Sequence, residues 1–314
     1  MGLLVARAKL TFGNSRVITK DSSVLNVDTF KDSGMKIEFR AGYSGYQHTI
    51  GFDGLQSLDE VIIEDPNNTN SAVLVFNGTT QYNEIVLTST GNAGVLTFKT
   101  KSKVLKRASF TNKTPAGGAE TVTALKGILA FSDVITGVTI TNSATNFTVP
   151  ASIPSNLKQL SFTGSTYFND PNVLTWNTTN VTNMSYMFNR ASAFNQPIGN
   201  WNTTNVTSMY GCFEGAKVFN QPIGNWNVSN VTTMADMFYY ASAFNQPIGN
   251  WDVSNVTNMN SMFDNASAFN QDLTTWCVAK ITTTPIAFAD SALNFPTNKH
   301  PVWGTCPVTV SAGG

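Results

Sequence analysis

"FNQPIGNW" stands at Phe194–Trp201, and the same eight residues return at Phe219–Trp226 and Phe244–Trp251. Each copy begins 25 residues after the one before, and an altered copy, "FNQDLTTW", follows at Phe269–Trp276. The phrase holds no acid, base or thiol, so architecture explains its repetition better than chemistry does. Outward from it the period extends to Trp176, Trp201, Trp226, Trp251 and Trp276. Counted from each Trp, Val or Ile falls at plus five (Val181, Val206, Val231, Val256, Ile281) and Met at plus eight (Met184, Met209, Met234, Met259). Met187, Cys212, Met237 and Met262 share plus eleven, and Phe188, Phe213, Phe238, Phe263 and Phe288 share plus twelve.

One winding of 25 residues cannot bury its own apolar side, but like windings stacked in register can. Apolar residues at plus eight, eleven and twelve have the i, i+3, i+4 spacing of one helical turn. The "QPIGNW" half, with Pro and Gly, is extended or turning. A short strand and a short helical turn per winding is the leucine-rich-repeat plan. Asn recurs as well. Asn180, Asn205, Asn230 and Asn255 each open "NVT", and Asn195, Asn220, Asn245 and Asn270 each follow a Phe. Stacked Asn side chains can hydrogen-bond along a column. "NVT" also fits the N-glycosylation pattern, but a sugar on every winding would crowd a stack spaced about 4.8 Å, so these columns are read as a ladder without glycan.

The 314 residues suffice for two domains. Charged residues make up 12% and the formal net charge is zero, which gives no electrostatic reason to expect nucleic acid or an anionic membrane. With 41% hydrophobic residues the chain is not disordered by composition. No apolar run reaches membrane-spanning length. "MGLLVARAKLTF" is broken by Arg7 and Lys9, so it reads as a first strand rather than a signal peptide. Short β-branched and aromatic runs, punctuated by Gly, Asn, Asp and Pro, fill residues 1–112 and suit a sandwich, a barrel or irregular windings. The expected division is a β-rich anchoring domain over 1–112, a linker at 113–121, an N-terminal cap with irregular windings at 122–175, the repeats at 176–276 and a C-terminal cap at 277–314.

Chemistry finds little purchase. Cys212, Cys277, Cys306, His48 and His300 are too scattered for a metal site. Cys212 takes a Met position and reads as buried packing. Cys277 and Cys306 flank the last winding and are candidates for a disulfide that staples the cap, an open question while the redox compartment is open. Lys99, Lys101 and Lys103 alternate beside Lys106 and Arg107, a solvated strand face or an anionic contact. Asp59, Glu60, Glu64 and Asp65 lie near one strand, but nothing places two carboxylates across a cleft as glycoside hydrolysis needs. No phosphate loop, GxSxG or HExxH occurs. We expect no enzyme and no cofactor. The Trp column could stack on sugars if exposed; beside Ile198, Ile223 and Ile248 it reads as core.

"WNVSNVTTMADMFYYASAFNQPIGN" (226–250) resembles the repeat of the BspA-like leucine-rich-repeat surface proteins, rich in "NVTNMxxMF", and "WCVAKITTTPIAF" (276–288) resembles the closing segment of such arrays. The resemblance covers roughly residues 155–307 and leaves out the first 110 or so. It implies a non-catalytic repeat scaffold on a surface, often associated with adhesion, with members on bacteria and in viral genomes. The expected fold is mainly β: an N-terminal β domain, then a leucine-rich-repeat-like solenoid of 25-residue coils with short helical turns. Residues that vary between windings are where a binding surface would be written. Among them Tyr186, Tyr210, Tyr239 and Tyr240 are the candidate contacts, amphipathic anchors with little entropy to lose.

The expected setting is a virion surface, bacteriophage first, because no leader or anchor is evident. There the chain would decorate a capsid or contribute to a fibre-like part. Its N-terminal domain would hold other virion or surface proteins, and its repeats would face a host protein or glycan, with a homo-oligomer compatible. The alternatives are a bacterial cell-surface adhesin and a carbohydrate-binding module.

Overall fold

A computed structural model of the chain describes residues 136–141 and 147–307, and before them the backbone of the strands between Gly2 and Ala130. The lysine run from Lys99, the carboxylates from Asp59 and the linker expected at 113–121 carry readings that lie outside the described residues. The strands are β1 (Gly2–Val5), β2 (Ala8–Phe12), β3 (Arg16–Thr19), β4 (Lys31–Phe39), β5 (Ser44–Asp53), β6 (Glu60–Glu64) and β7 (Ala72–Val75). There follow β8 (Tyr82–Thr90), β9 (Gly94–Thr100), β10 (Arg107–Lys113), β11 (Leu125–Ala130), β12 (Gly137–Thr141) and β13 (Gln159–Ser161). One sheet runs β1-β2-β8-β5-β10-β12-β13 and the other β11-β4-β9-β6-β7-β3. In the first, β10 pairs antiparallel with β5 (Phe110 opposite Ile50) and parallel with β12 (Phe110 opposite Ile140).

The chain divides into Met1–Leu160 with Ser165–Trp176, and Ser161–Gly164 with Asn177–Gly314. In the first unit the buried Asp170 organises the chain after β12. Its carboxylate accepts from the Val149 and Asn172 amides at 2.6 and 3.0 Å. Asn172 Nδ2 returns to the Val149 carbonyl at 2.7 Å, and Trp176 Nε1 donates to that of Pro150 at 2.7 Å.

The second unit is built from the repeats. Parallel single-residue bridges tie Asn183 to Ser208, Ser208 to Thr233 and Thr233 to Asn258, so adjacent windings lie side by side. The columns read from the sequence are interior: Val206, Met209, Cys212, Phe213 and Phe219 are fully buried, as are their counterparts at Val231, Met234, Met237, Phe238 and Phe244. The Phe rings form two continuous stacks. Phe188, Phe213, Phe238 and Phe263 follow one another at 5.6, 5.7 and 5.5 Å between centroids. Phe194, Phe219, Phe244 and Phe269 follow at 5.9, 6.1 and 5.9 Å. Burial raises the Cys212 thiol pKa, which keeps it a packing group.

The stretch expected to be a helical turn is not one. In a helix the amide at plus twelve would bond within its own winding; here Phe188, Phe213 and Phe238 donate to Cys212, Met237 and Met262 of the next winding at 2.8–2.9 Å. Alternate amides close turns within the winding, as Met187 to Met184 and Ala191 to Phe188. The cause is left-handed backbone at plus ten and plus fourteen: φ is 57° at Tyr186, 56° at Arg190, 55° at Asp236 and 57° at Tyr240, with Gly211 and Gly215 in the same two places of the second winding. These residues swing every second N–H toward the neighbouring winding.

The quoted phrase now has its explanation. A Cβ on Gly224 would come within 2.6 Å of the Pro247 carbonyl oxygen, and one on Gly249 within 2.8 Å of that of Asp272; Gly199 meets the Pro222 carbonyl in the same way. Asn Oδ1 of each copy accepts from the backbone of the next, Asn220 from Asn245 at 3.0 Å and Asn245 from Asn270 at 2.9 Å. Gln246 and Gln271 Nε2 join at 2.9 and 2.7 Å. Every Trp of the column is buried, and the indoles of Trp226, Trp251 and Trp276 donate back to the carbonyls of Ile198, Ile223 and Ile248 at 3.2, 3.3 and 3.1 Å. Sugar stacking on this column is thereby ruled out. Trp251→Phe keeps an aromatic ring and removes the indole donor; a loss of about 1–2 kcal/mol is expected, read as a lower urea midpoint, and an unchanged midpoint would show the bond contributes nothing.

The "NVT" asparagines are spoken for too: Nδ2 of Asn205, Asn230 and Asn255 reaches the carbonyls of Thr179, Thr204 and Ser229 at 2.8, 2.8 and 2.7 Å. The ladders end on cations. Lys280 Nζ lies 2.6 Å from Asn255 Oδ1 and Lys299 Nζ 2.6 Å from Asn270 Oδ1. Beyond them Cys277 and Cys306 form a disulfide across 29 residues, and Phe288, Phe295, His300 and Trp303 close the apolar end, with Phe288 to Trp303 at 4.8 Å. In the last copy Thr274 replaces the glycine. No further copy of the phrase follows it; the corresponding stretch is the 3-10 turn Thr297–Lys299.

Candidate functional site: a tyrosine-lined cleft on the variable face

Positions plus nine, ten, thirteen and fourteen differ from winding to winding. All four tyrosines of residues 177–276 occupy them, whereas Phe and Trp of the same windings go to the interior. Three of the four converge. Tyr186, Tyr210 and Tyr239 line a cleft of about 410 Å³, together with Arg190, Glu214 and Asp236. Asn189 and Thr163 complete its floor. Tyr240 is not part of the lining; it stands against Tyr239, ring centroids 4.5 Å apart at 70°, and is 47% exposed.

The second winding makes the room. A Cβ on Gly211 would meet the Tyr186 ring at 2.8 Å, and one on Gly215 would touch Arg190 Cγ at 3.4 Å. The first winding's Tyr and Arg therefore lie over the second winding's glycines. Tyr186 and Tyr210 meet edge to face at 4.9 Å and 86°, which forms a right-angled aromatic corner. Hydrogen bonding with Tyr186, and next with Asp236, together with burial raises the Tyr210 phenol pKa well above its ordinary value. A hydrogen bond to Tyr240 raises Tyr239 likewise, with the charges of Asp264 and Asp236 adding to it.

Glu214 is half-buried, and its carboxyl pKa is raised, chiefly by desolvation and further by Asp236, against the lowering pull of Arg190 and an Asn189 hydrogen bond. Asn189, 7% exposed, is held from below by the Thr163 hydroxyl at 2.8 Å. Because folding raises its pKa, Glu214 adds stability below the ordinary carboxylate range, and that stability is lost as pH climbs through the raised value. Glu214→Gln is therefore expected to raise the melting temperature at neutral pH, the gain shrinking toward zero in acid; a gain equal at both pH values would refute the assignment.

Thr163 escapes a 25-residue count. Phe162 stacks on Phe188 at 5.8 Å, a step of 26, so the first rung is one residue out of phase with the rest. Among the described residues, no group of three or more His, Cys, Asp or Glu could hold a metal ion, and no helix is long and apolar enough to cross a membrane.

Residues 154–231 and 196–303 each match the family model described as "Mycoplasma protein of unknown function, DUF285". The repeat array is similar to DUF285. Two overlapping matches are what a tandem array gives, and they are consistent with a BspA-like repeat family. The DUF285-matching segment holds all the cleft residues named above and the whole of the variable face, while the twelve strands β1–β12 precede the match and β13 lies within it. No curated protein and no solved structure matches the chain.

Proposed function

We propose that the chain is a non-catalytic recognition scaffold, a leucine-rich-repeat-like solenoid displayed on a bacteriophage virion as a capsid decoration or fibre-like component. Its N-terminal domain attaches it to other virion proteins, and the variable face of its windings engages the host. The observation that carries the reading is the separation of roles within each winding. Positions that pack are held nearly constant from copy to copy, and a separate set, at plus nine, ten, thirteen and fourteen, changes between copies and collects the tyrosines. Aromatic side chains with a polar end are what recognition surfaces enrich.

Mass spectrometry of gradient-purified virions tests the setting: the chain is expected at stoichiometric copy number. Its absence there, with recovery from washed cell surfaces, favours the second reading, a bacterial cell-surface adhesin, which the description of the matching family as a Mycoplasma protein supports. Alanine at Tyr186, Tyr239 and Tyr240 together is expected to abolish attachment of the particle or cell while leaving assembly intact.

A further inference from the structure

We infer that the cleft beneath Tyr186 binds a neutral saccharide, taken as one or two pyranose rings in the corner between Tyr186 and Tyr210. This rests on the reading of the variable face as a recognition surface and names its ligand class. The volume, about 410 Å³, lies at the small end of ligand sites. The corner offers an aromatic face and, at 86° to it, an aromatic edge. A flat ring whose C–H face is apolar and whose rim bears hydroxyls fits such a pair.

The polar groups decide between a neutral and a charged ligand. The residues 177–276 carry seven charged side chains, and three of them, Arg190, Glu214 and Asp236, meet in this cleft. Their charges are already engaged: Arg190 acts on Glu214, and Asp236 takes the Tyr210 hydroxyl. A cationic ligand would have to compete with Arg190, and an anionic one would face two carboxylates. Acceptor capacity nonetheless remains, since a carboxylate can take about four hydrogen bonds. Neutral hydroxyl donors can use that capacity without breaking the existing pairs. Carboxylate, guanidinium and phenol at the rim of one aromatic corner suit vicinal hydroxyls, each of which both donates and accepts. The invariant windings explain the position: the notch at Gly211 and Gly215 occurs in one winding of the array, so one such corner is made.

The test is saturation-transfer NMR on the full chain with methyl glycosides of neutral hexoses and N-acetylhexosamines, and with N-acetyl-lysine methylamide as the charged comparison. Transfer is expected to the ring C–H protons of at least one glycoside. Tyr186→Ala and Asp236→Asn should each weaken it at least tenfold at an unchanged melting temperature. Gly211→Ala, which drives a methyl into the Tyr186 ring, should weaken it as much, with a lower melting temperature from the left-handed backbone at φ 56°. Transfer to no glycoside, transfer only to the lysine derivative, or binding untouched by all three variants would overturn the inference. Should attachment still depend on Tyr239 and Tyr240 in that case, the recognition reading stands and the saccharide assignment alone is lost.

Discussion

Phe238→Ala is expected to destabilise the repeat array by about 4 kcal/mol, the middle of the range for a buried aromatic cut to Ala. The ring lies between Phe213 and Phe263 at 5.7 and 5.5 Å and beside Phe244 at 3.9 Å, with Trp251 at 6.5 Å. Its removal opens a cavity in two stacks at once, and the backbone cannot collapse into it because Phe238 and its neighbours are pinned by amide bonds to the windings on either side. In an array stabilised through nearest-neighbour interfaces, a defect in a middle winding weakens two interfaces rather than one. Urea unfolding followed by tryptophan fluorescence measures it. A loss under about 1 kcal/mol, the size of a surface change, would mean that the Phe columns are not the core.

Gly224→Ala is expected to cost about 3 kcal/mol, the size of a severe overpacking, though it adds a single methyl. The obstacle, 2.6 Å away, is the Pro247 carbonyl of the adjoining winding. A side chain in that place could rotate aside; a carbonyl fixed in the wall of the stack cannot. Gly215→Ala provides the contrast. Its new Cβ meets only Arg190, at 3.4 Å, so its cost is that of left-handed backbone at φ 66°, about 1 kcal/mol. Equal melting temperatures for the two variants would remove close winding approach as the reason for the glycine in "PIGNW".

Much of the interior was legible because a fixed period groups side chains without any knowledge of conformation. Counting alone places Met209, Phe213 and Trp226 in shared columns, and all three are buried. Conformation was harder. Apolar residues at i, i+3 and i+4 satisfy a helical turn and also a chain whose alternate residues are left-handed. Tyr186, Arg190, Asp236 and Tyr240 give no warning, since left-handed φ is expected of Gly or Asn rather than Tyr or Arg. The glycines at 211 and 215 were the available hint, and they sit in one winding only.

The site was half legible. Tyrosine at varying positions pointed to the right face, and Tyr186, Tyr210 and Tyr239 do converge. That Arg190, Glu214 and Asp236 share their cleft depends on which winding's glycines make room for which neighbour's side chains, a matter of stacking order rather than of any single residue. Thr163 was hidden by the 26-residue first step.

The threonine at position 274 has a bearing on how such a molecule changes length over generations. Copies bounded by Gly199, Gly224 and Gly249 are interchangeable, since each leaves its successor the same opening, whereas Thr274 closes the series. Slippage or unequal crossing-over in the coding DNA can therefore add whole copies after Trp226, while the copy from Trp201 is kept in place by the glycines that seat Tyr186 and Arg190. The terminus travels along unchanged, and reach becomes an inherited trait that varies in steps.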